Sequence, residues 1–328
     1  MTATHDSSVQ NKLRAALRYS TGDPASDELM RGSIRAGIVG NDLELMDVYE
    51  QEVGPEQAEV DLHLDGPGVD EHATSAKRFA DFIAGISEAV KETAKHRAGK
   101  GRYTEGLLIE GATPGSVRVV LKAPRPKIDP DATIDERTSA SSVDSDALRS
   151  IAAILTHASD PEPDSPLVAE IADLPPRARD GLRRAIRSSR KAGWIVDGTM
   201  RQRRIGLQPI HLSSDGATRL SIELDSRIES TRQERLVGRI DGFRRSLGTI
   251  YFAPEGRAII TAGVIESEIT TKVTELFTDP DAEIEAVFNV VESRLPGDKS
   301  QVRTSRTLTS IRRTEKGEQG HLFPGRMK

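Results

Sequence analysis

Residues 234–264 read ERLVGRIDGFRRSLGTIYFAPEGRAIITAGV, and this stretch carries the clearest repeating pattern in the chain. It contains three runs rich in Val, Ile, Phe and Tyr. One break between them lies just before Leu247 and the other at a Glu-Gly turn, so the pattern predicts three consecutive strands. A helical repeat follows at 266–279. Two further strands are predicted at 282–293 and 301–313, on either side of the turn sequence LPGD.

The order of these elements is three strands, one helix and two strands. A five-stranded barrel with its single helix between the third and fourth strands has the topology of the oligonucleotide/oligosaccharide-binding (OB) fold. We therefore predict the α+β fold class, with several small domains that end in a C-terminal, five-stranded, OB-like β-barrel at residues 233–315.

The segments before the barrel differ in periodicity and composition. QAEVDLHLD, at 57–65, alternates as a half-buried strand does, and a helix and a hairpin are predicted after it. The run LPPRARDGLRRAIRSSRKAGWIVDG predicts a helix from Pro176 to a stop at Gly193. The predicted organisation is a partly ordered arm at 1–55, a strand–helix–hairpin α+β module at 56–125, an acidic linker at 126–147, a basic helical and α+β module at 148–232, and a flexible tail at 316–328.

Composition narrows the chemistry that the chain can perform. The 328 residues carry a net charge of −5, which argues against a generally basic coat for nucleic acid. There is no cysteine, so disulfides, zinc–thiolate centres, iron–sulfur clusters and cysteine nucleophiles are excluded. The first residues lack the apolar core of a signal peptide, and no apolar run approaches about 18 residues. We therefore expect a cytoplasmic protein with no membrane partner.

Three stretches resemble a recurring, functionally uncharacterised bacterial multi-domain architecture. They are GSVRVVLKAP at 115–124, LPPRARDGLRRAIRSSRKAGW at 174–194, and LVGRIDGFRRSLGTIYFAPEGRAIITAGV at 236–264, with VFNVVES after it. The resemblance covers roughly residues 57 to 314 and consists of strand and turn patterns. It implies the fold, including a terminal small barrel, and implies no activity and no site residue.

EVDLHLDGPGVDEH, at 59–72, holds the candidate metal ligands His63, Asp65, Asp70 and His72. Histidine and carboxylate side chains in this pattern suit zinc, manganese or iron. The same residues also fit the end of a strand and the start of a helix, with His63 on the solvent face and Asp70 near the helix N-terminus. Because nothing downstream supplies a further ligand, we predict the structural arrangement and no metal or other cofactor.

Charge is unevenly distributed along the middle of the chain. Residues 177–204 carry ten basic and two acidic residues, whereas residues 129–173 carry eleven acidic and two basic residues. The basic helix could contact phosphates. Alternatively, its cations could be solvated or neutralised by the acidic segment. The candidate anion contacts in this region are Arg183, Arg187, Arg190, Lys191 and Arg203.

The predicted barrel holds a second set of candidate contacts: Arg244, Arg245, Tyr251, Arg303 and Arg306. An exposed ring beside arginines is typical of proteins that bind single strands. Small barrels also serve as protein-binding or purely structural modules.

No catalytic signature is present. The chain has no Gly-x-Ser-x-Gly elbow, no phosphate-binding loop and no dinucleotide fingerprint. We therefore expect a non-catalytic binding or adaptor protein, whose partner is another protein or a second copy of the chain. Two alternatives are nucleic-acid binding through the basic helix and the barrel, and a metal-dependent enzyme that uses the region of His63 and Asp65.

Overall fold

The computed structural model describes residues 3–71, 73–99, 106–110, 117–125, 142–160, 165–225, 227–279, 282–294 and 303–314. Within these ranges the chain mixes helices and strands, as predicted, and the C-terminal region is a closed five-stranded barrel. In the same ranges, no helix has both the length and the apolar character needed to cross a bilayer. Residues 126–141 of the predicted linker and the predicted tail at 316–328 lie outside the described part of the chain.

The first 53 residues contain three helices, which we call the N-terminal unit. It consists of α1 (Ala3–Arg18), α2 (Pro24–Ile34), a π-helical turn at Arg35–Val39, and α3 (Leu43–Val53). The side chains of Asp23 and Asp42 begin α2 and α3 by accepting hydrogen bonds from free N–H groups of the first turns. The segment predicted as a partly ordered arm is thus helical over most of its described length. It has a small core of its own, formed by Leu13, Leu17, Ile34, Val39 and Val48.

A strand, a small hairpin and a long helix come next. The elements are β1 (Glu59–Asp65), β2 (Val69–Asp70), β3 (Ala73–Thr74), α4 (Ala76–Arg97), β4 (Leu108–Glu110) and β5 (Val117–Lys122). The predicted position of Asp70 near the N-terminus of a helix is wrong, because Asp70 lies in β2. The hairpin is held by Thr74, whose hydroxyl donates to the Gly68 carbonyl at 2.7 Å and accepts from the Trp194 indole N–H at 3.1 Å.

Beyond residue 141 the chain supplies more helices and two more strands. These elements are α5 (Val143–Ala158), α6 (Leu167–Asp173), α7 (Pro176–Ala192), β6 (Ile195–Gln202), β7 (Gly206–Leu212) and α8 (Ser214–Leu224). As predicted, α7 begins at Pro176 and ends at Gly193, which adopts a left-handed conformation with φ 70°. Ser213 caps α8, because its hydroxyl accepts from the Gly216 N–H at 3.0 Å.

β1 is the central strand of a five-stranded antiparallel sheet with the order β4-β5-β1-β6-β7. It therefore pairs with β5, which precedes the acidic segment, and with β6, which follows it. The predicted modules at 56–125 and 148–232 thus share this sheet, and a single core cluster runs from Ala58 to Leu224. Composition marks a break in the chain at the acidic segment, but it carries no information about pairing across that break.

Helices α4 and α7 cross with their backbones in contact. A Cβ atom placed on Gly85 would lie 2.6 Å from the Gly181 carbonyl oxygen and 2.7 Å from the Ala185 nitrogen. A Cβ atom placed on Gly181 would lie 2.9 Å from the Gly85 carbonyl oxygen. Because all three distances are shorter than a real Cβ contact, the crossing requires glycine on both helices. This crossing determines how α7 is positioned over the sheet.

The C-terminal barrel is formed by β8 (Arg227–Arg244), β9 (Thr249–Pro254), β10 (Ile260–Gly263), α9 (Ser267–Phe277), β11 (Ile284–Arg294) and β12 (Arg303–Arg313). The strands close in the order β10-β12-β11-β8-β9, with β10 parallel to β12 and the other neighbours antiparallel. Phe252 and Phe288 pack in its core with ring centroids 5.4 Å apart. Ser305 joins β12 to α6, since its hydroxyl donates to the Ser165 carbonyl and accepts from the Ala169 N–H.

A buried ion pair joins the helices α5 and α6 and contacts the barrel. His157 Nδ1 of α5 lies 2.9 Å from both carboxylate oxygens of Glu170 in α6, and its Nε2 lies 2.6 Å from the carbonyl oxygen of Leu247, between β8 and β9. Both ring nitrogens thus face acceptors, as in an imidazolium. Burial alone would lower the pKa of His157, but the Glu170 carboxylate and the Leu247 carbonyl outweigh it and raise the pKa. The pair holds α5, α6 and the barrel together.

Replacing Gly181 with alanine is expected to destabilise the fold by about 1–3 kcal/mol, because the new methyl group meets backbone atoms of α4. This cost exceeds the gain of up to about 1 kcal/mol that alanine brings to a helix. Gly32→Ala in α2 is the matched control, because a Cβ there meets nothing within 4 Å. Urea unfolding should show Gly181→Ala destabilised and Gly32→Ala unchanged or stabilised. Equal stabilisation of both variants would contradict the close crossing.

The His157–Glu170 pair predicts a pH-dependent stability. The folded-state pKa of His157 lies above its unfolded value of about 6.5, so the stabilisation is complete below that value and is lost as pH rises through the raised pKa. The unfolding free energies of the wild type and His157→Gln should be compared at about pH 6 and about pH 9. We expect the difference to be larger at the lower pH. A difference that is constant or grows with pH would contradict the charged pair.

Candidate binding surfaces

α7 presents one face to the core and another to solvent. The buried face contains Ala178, Leu182, Ala185, Ile186 and Ser189. Arg187, Arg190 and Lys191 are exposed and follow the i, i+3, i+4 spacing, which places them on one side of the helix. The helix therefore turns three cations outward near its C-terminal end.

Arg183 fixes α8 alongside α7. Its Nε donates to the Asp225 carboxylate at 3.0 Å, and one of its terminal nitrogens donates to the Leu224 carbonyl at 2.9 Å. These acceptors lie at the C-terminal end of α8, whereas Arg183 lies in the first half of α7. The two helices thus run antiparallel, and the N-terminal end of α8 lies beside the C-terminal half of α7.

A groove opens between these two helices, and we call it the α7–α8 groove. Its lining residues are Arg187, Arg190, Lys191, Ser214 and Thr218, and its volume is about 450 Å³. Ser214, Thr218 and Ser221 follow the i, i+4, i+7 spacing on α8, so their hydroxyls form a stripe that faces the cations. Arg190 already donates to the Ser221 hydroxyl at 3.0 Å. The groove thus combines positive charge with hydroxyl donors.

The cations of α7 differ in how they are neutralised. Arg183 forms ion pairs with Asp180 at 2.6 Å and Asp225 at 3.0 Å, and Arg184 pairs with Glu88 of α4. Within the described ranges, Arg187, Arg190 and Lys191 form no ion pair with a carboxylate. The α7–α8 groove therefore brings together three cations of the basic segment that carry unpaired charge in the described ranges.

The candidate contacts on the barrel do not converge in the same way. Arg306 lies 3.9 Å from Glu234, which also pairs with Arg257. Arg244 is exposed, and Tyr251 is half-buried on the face of β9 opposite the buried Phe252. The side chain of Arg303 lies outside the described part of the structure. Several further arginines on the barrel surface are paired with nearby acids: Arg232, Arg235, Arg312 and Arg313.

Two of the predicted basic contacts join parts of the fold to one another. Arg245 lies 3.5 Å from Asp47 of α3, and Asp47 also accepts from the Leu207 N–H at 2.8 Å. Burial raises the pKa of Asp47, although the Leu207 N–H and Arg245 act against that shift. Arg203 donates to the Gly54 carbonyl at 3.1 Å. Arg245 and Arg203 therefore hold the N-terminal unit against the sheet and the barrel.

The candidate metal ligands do not come together among the residues that the structure describes. His63 and Asp65 are exposed on β1, Asp70 is exposed in the β2–β3 hairpin, and His72 lies outside the described residues. In the register of the sheet, His63 lies opposite Arg118 of β5 and Asp197 of β6. Among the residues that the structure describes, no three His, Asp or Glu side chains come close enough to share an ion.

The N-terminal unit exposes large apolar side chains. Five of the ten such side chains found in the described ranges lie within residues 9–43, and Leu29 and Leu43 have 75% and 72% of their surface exposed. The five are Val9, Tyr19, Leu29, Ile38 and Leu43. Exposed apolar side chains mark sites of association with other proteins where they lie together on a surface, and these five are close in sequence. Sequence reasoning did not identify these exposed side chains. The available signal was that Leu29 and Leu43 each lie next to acidic residues in short, polar helices.

Comparisons of the chain with protein-family models, with curated proteins and with solved structures found no match.

The hydroxyl side of the α7–α8 groove was also missed by sequence reasoning. Arginine spacing identified the α7 side, but Ser214, Thr218 and Ser221 lie on a helix of ordinary composition. Their i, i+4, i+7 spacing was the available signal. This spacing indicates a binding surface only once α8 is known to pack against α7, and the sequence does not show that tertiary contact.

Arg183 and its neighbour Arg184 are expected to differ in their contribution to stability. Arg183→Met removes hydrogen bonds that hold the end of α8 and should lower the unfolding free energy by about 1 kcal/mol. Arg184→Met removes one exposed ion pair and should change it by less than about 0.5 kcal/mol. Urea unfolding of both variants measures the difference. Equal effects would contradict the role of Arg183 in positioning α8.

Proposed function

We propose that this chain is a non-catalytic binding protein, an adaptor that engages another protein molecule through the N-terminal unit. The observation that carries the proposal is the concentration of exposed large apolar side chains at Val9, Tyr19, Leu29, Ile38 and Leu43. Burying such side chains against a partner removes apolar area from water, which is the main favourable term in protein association. The partner is a different protein or a second copy of this chain.

The construction of the N-terminal unit suits this role. It has its own small core, so its outward side chains are not needed to hold its helices together. It is attached to the rest of the molecule through α3, by contacts such as Asp47 to the Leu207 N–H. A partner can therefore bind the unit without disturbing the sheet or the barrel.

We also propose that the barrel is of the OB type. Support comes from its strand order, from the parallel β10–β12 pair, and from the position of α9 between the third and fourth strands. Its β8–β9 connection packs against His157. In this molecule the barrel therefore acts as a scaffold joined to the sheet.

The nucleic-acid alternative has less support from the barrel than from α7. The described arginines on the barrel strands are mostly paired with acids, and pairing of this kind weakens attraction for phosphates. The metal-enzyme alternative depends on His63 and Asp65, which are exposed on the sheet without a third described ligand. The metal-enzyme alternative would therefore need a further ligand that the described residues do not supply.

Site-specific photo-crosslinking tests the proposed adaptor function in cells that express the chain naturally. A photoreactive amino acid at position 29 or 43 should give discrete crosslinked protein products, because these side chains face the partner. The same amino acid at position 259, where an exposed isoleucine lies on the barrel, is the control. We expect the products at positions 29 and 43 to disappear when Ile38 and Val9 are changed to serine.

Sedimentation velocity of the purified chain over a wide concentration range separates the two kinds of partner. A concentration-dependent dimer that is lost in Leu29→Ser/Ile38→Ser/Leu43→Ser identifies a second copy as the partner. The matched control is Leu108→Ser/Ile222→Ser/Ile259→Ser, which removes three exposed apolar side chains elsewhere. A chain that is monomeric at every concentration and gives no crosslinked product at positions 29 and 43 would refute the adaptor function.

A further inference from the structure

We propose that the α7–α8 groove is a binding site for a compact ligand that carries one or two linked phosphate groups. The site does not involve the N-terminal unit, so it can be tested independently of the adaptor function. Three cations from α7 and two hydroxyls from α8 line it, and they come from helices that Arg183 and the Gly85–Gly181 crossing hold in place.

The electrostatics of the groove favour an anion. Arg187, Arg190 and Lys191 lie close together on one helix face, and within the described ranges no carboxylate forms an ion pair with them. The N-terminal end of α8, where the helix dipole is positive, lies beside them. Like charges so arranged repel one another, and a bound anion would relieve that repulsion. On α8, the acidic residue nearest in sequence to Ser214 and Thr218 is Asp215. Its side chain is exposed and does not line the groove.

The donor set matches phosphate in particular. Arginine presents a planar fork of N–H donors that pairs with two phosphate oxygens at once, and lysine adds a point charge. Ser214 supplies a hydroxyl donor from the opposite side of the groove, beside Thr218, whose hydroxyl donates to the Ser214 carbonyl at 3.1 Å. A tetrahedral anion with several oxygens can accept from both helices, whereas a planar carboxylate has only two oxygens to share.

The extent of unpaired charge indicates a compact ligand. Towards the N-terminal end of α7, Arg183 is held by Asp180 and Asp225, and Arg184 is held by Glu88. The unpaired cations that line the groove therefore span about one helical turn, and a groove volume of about 450 Å³ suits a small molecule. A nucleic-acid strand needs a longer track of cations along its backbone.

Isothermal titration calorimetry of the full chain with inorganic phosphate and pyrophosphate tests the site. Pyrophosphate is expected to bind at one site per chain, more tightly than phosphate and more weakly as salt is raised. Arg187→Gln/Arg190→Gln/Lys191→Gln should weaken pyrophosphate binding at least about tenfold, because charge-assisted hydrogen bonds are removed. The matched control is Lys12→Gln/Arg177→Gln/Arg239→Gln, which removes the same charges from exposed positions elsewhere and should leave binding unchanged.

A second variant keeps the test valid if the triple variant does not fold. Thr218→Glu leaves all three cations in place and puts a carboxylate in the groove, so it should also weaken pyrophosphate binding about tenfold. Absence of pyrophosphate binding to the wild type, or equal loss in the matched control, would overturn the site. A single-stranded oligonucleotide that binds more tightly than pyrophosphate through the same three cations would overturn the compact ligand in favour of nucleic acid.

Discussion

The pairing of β1 on both of its edges is the constraint on which the rest of the structure depends. β5 comes from the chain before the acidic segment and β6 from the chain after it. The sheet therefore exists only when both halves contribute, and the helices that cover it have a surface to pack on. α7 rests on that surface, and its contact with α4 through Gly85 and Gly181 determines which of its side chains reach solvent.

The distribution of charge follows from this packing. Many surface arginines form an ion pair with an acidic residue on a neighbouring strand or helix. Arg184 pairs with Glu88, and Arg232 pairs with Glu292. Such pairs add little to stability at an exposed surface, but they remove free positive charge. The cations of the α7–α8 groove lack such partners in the described ranges, so three unpaired charges of the basic segment lie side by side there.

Local patterns predicted the local elements. Alternating apolar residues predicted the five barrel strands, and Pro176 and Gly193 predicted both ends of α7, because these signals depend only on neighbouring residues. The shared sheet could not be predicted, since nothing in the spacing of β1 identifies β6 as its partner. The candidate site could likewise be predicted only in part. The sequence shows the helical spacing of Arg187, Arg190 and Lys191. It does not show that these cations lie away from acids and beside hydroxyl groups, because both facts depend on tertiary contacts.

The position of β1 also has a consequence for the synthesis of the chain. Glu59 and Arg201 are ion-paired across β1 and β6, although 142 residues separate them. While a ribosome is still making the second half, β1 has one unpaired edge, and α4 has no α7 to cover it. Contacts this distant in sequence form slowly, and unpaired edges associate with other chains. A nascent chain of this protein must therefore be kept apart from its neighbours until residue 202 has left the ribosome.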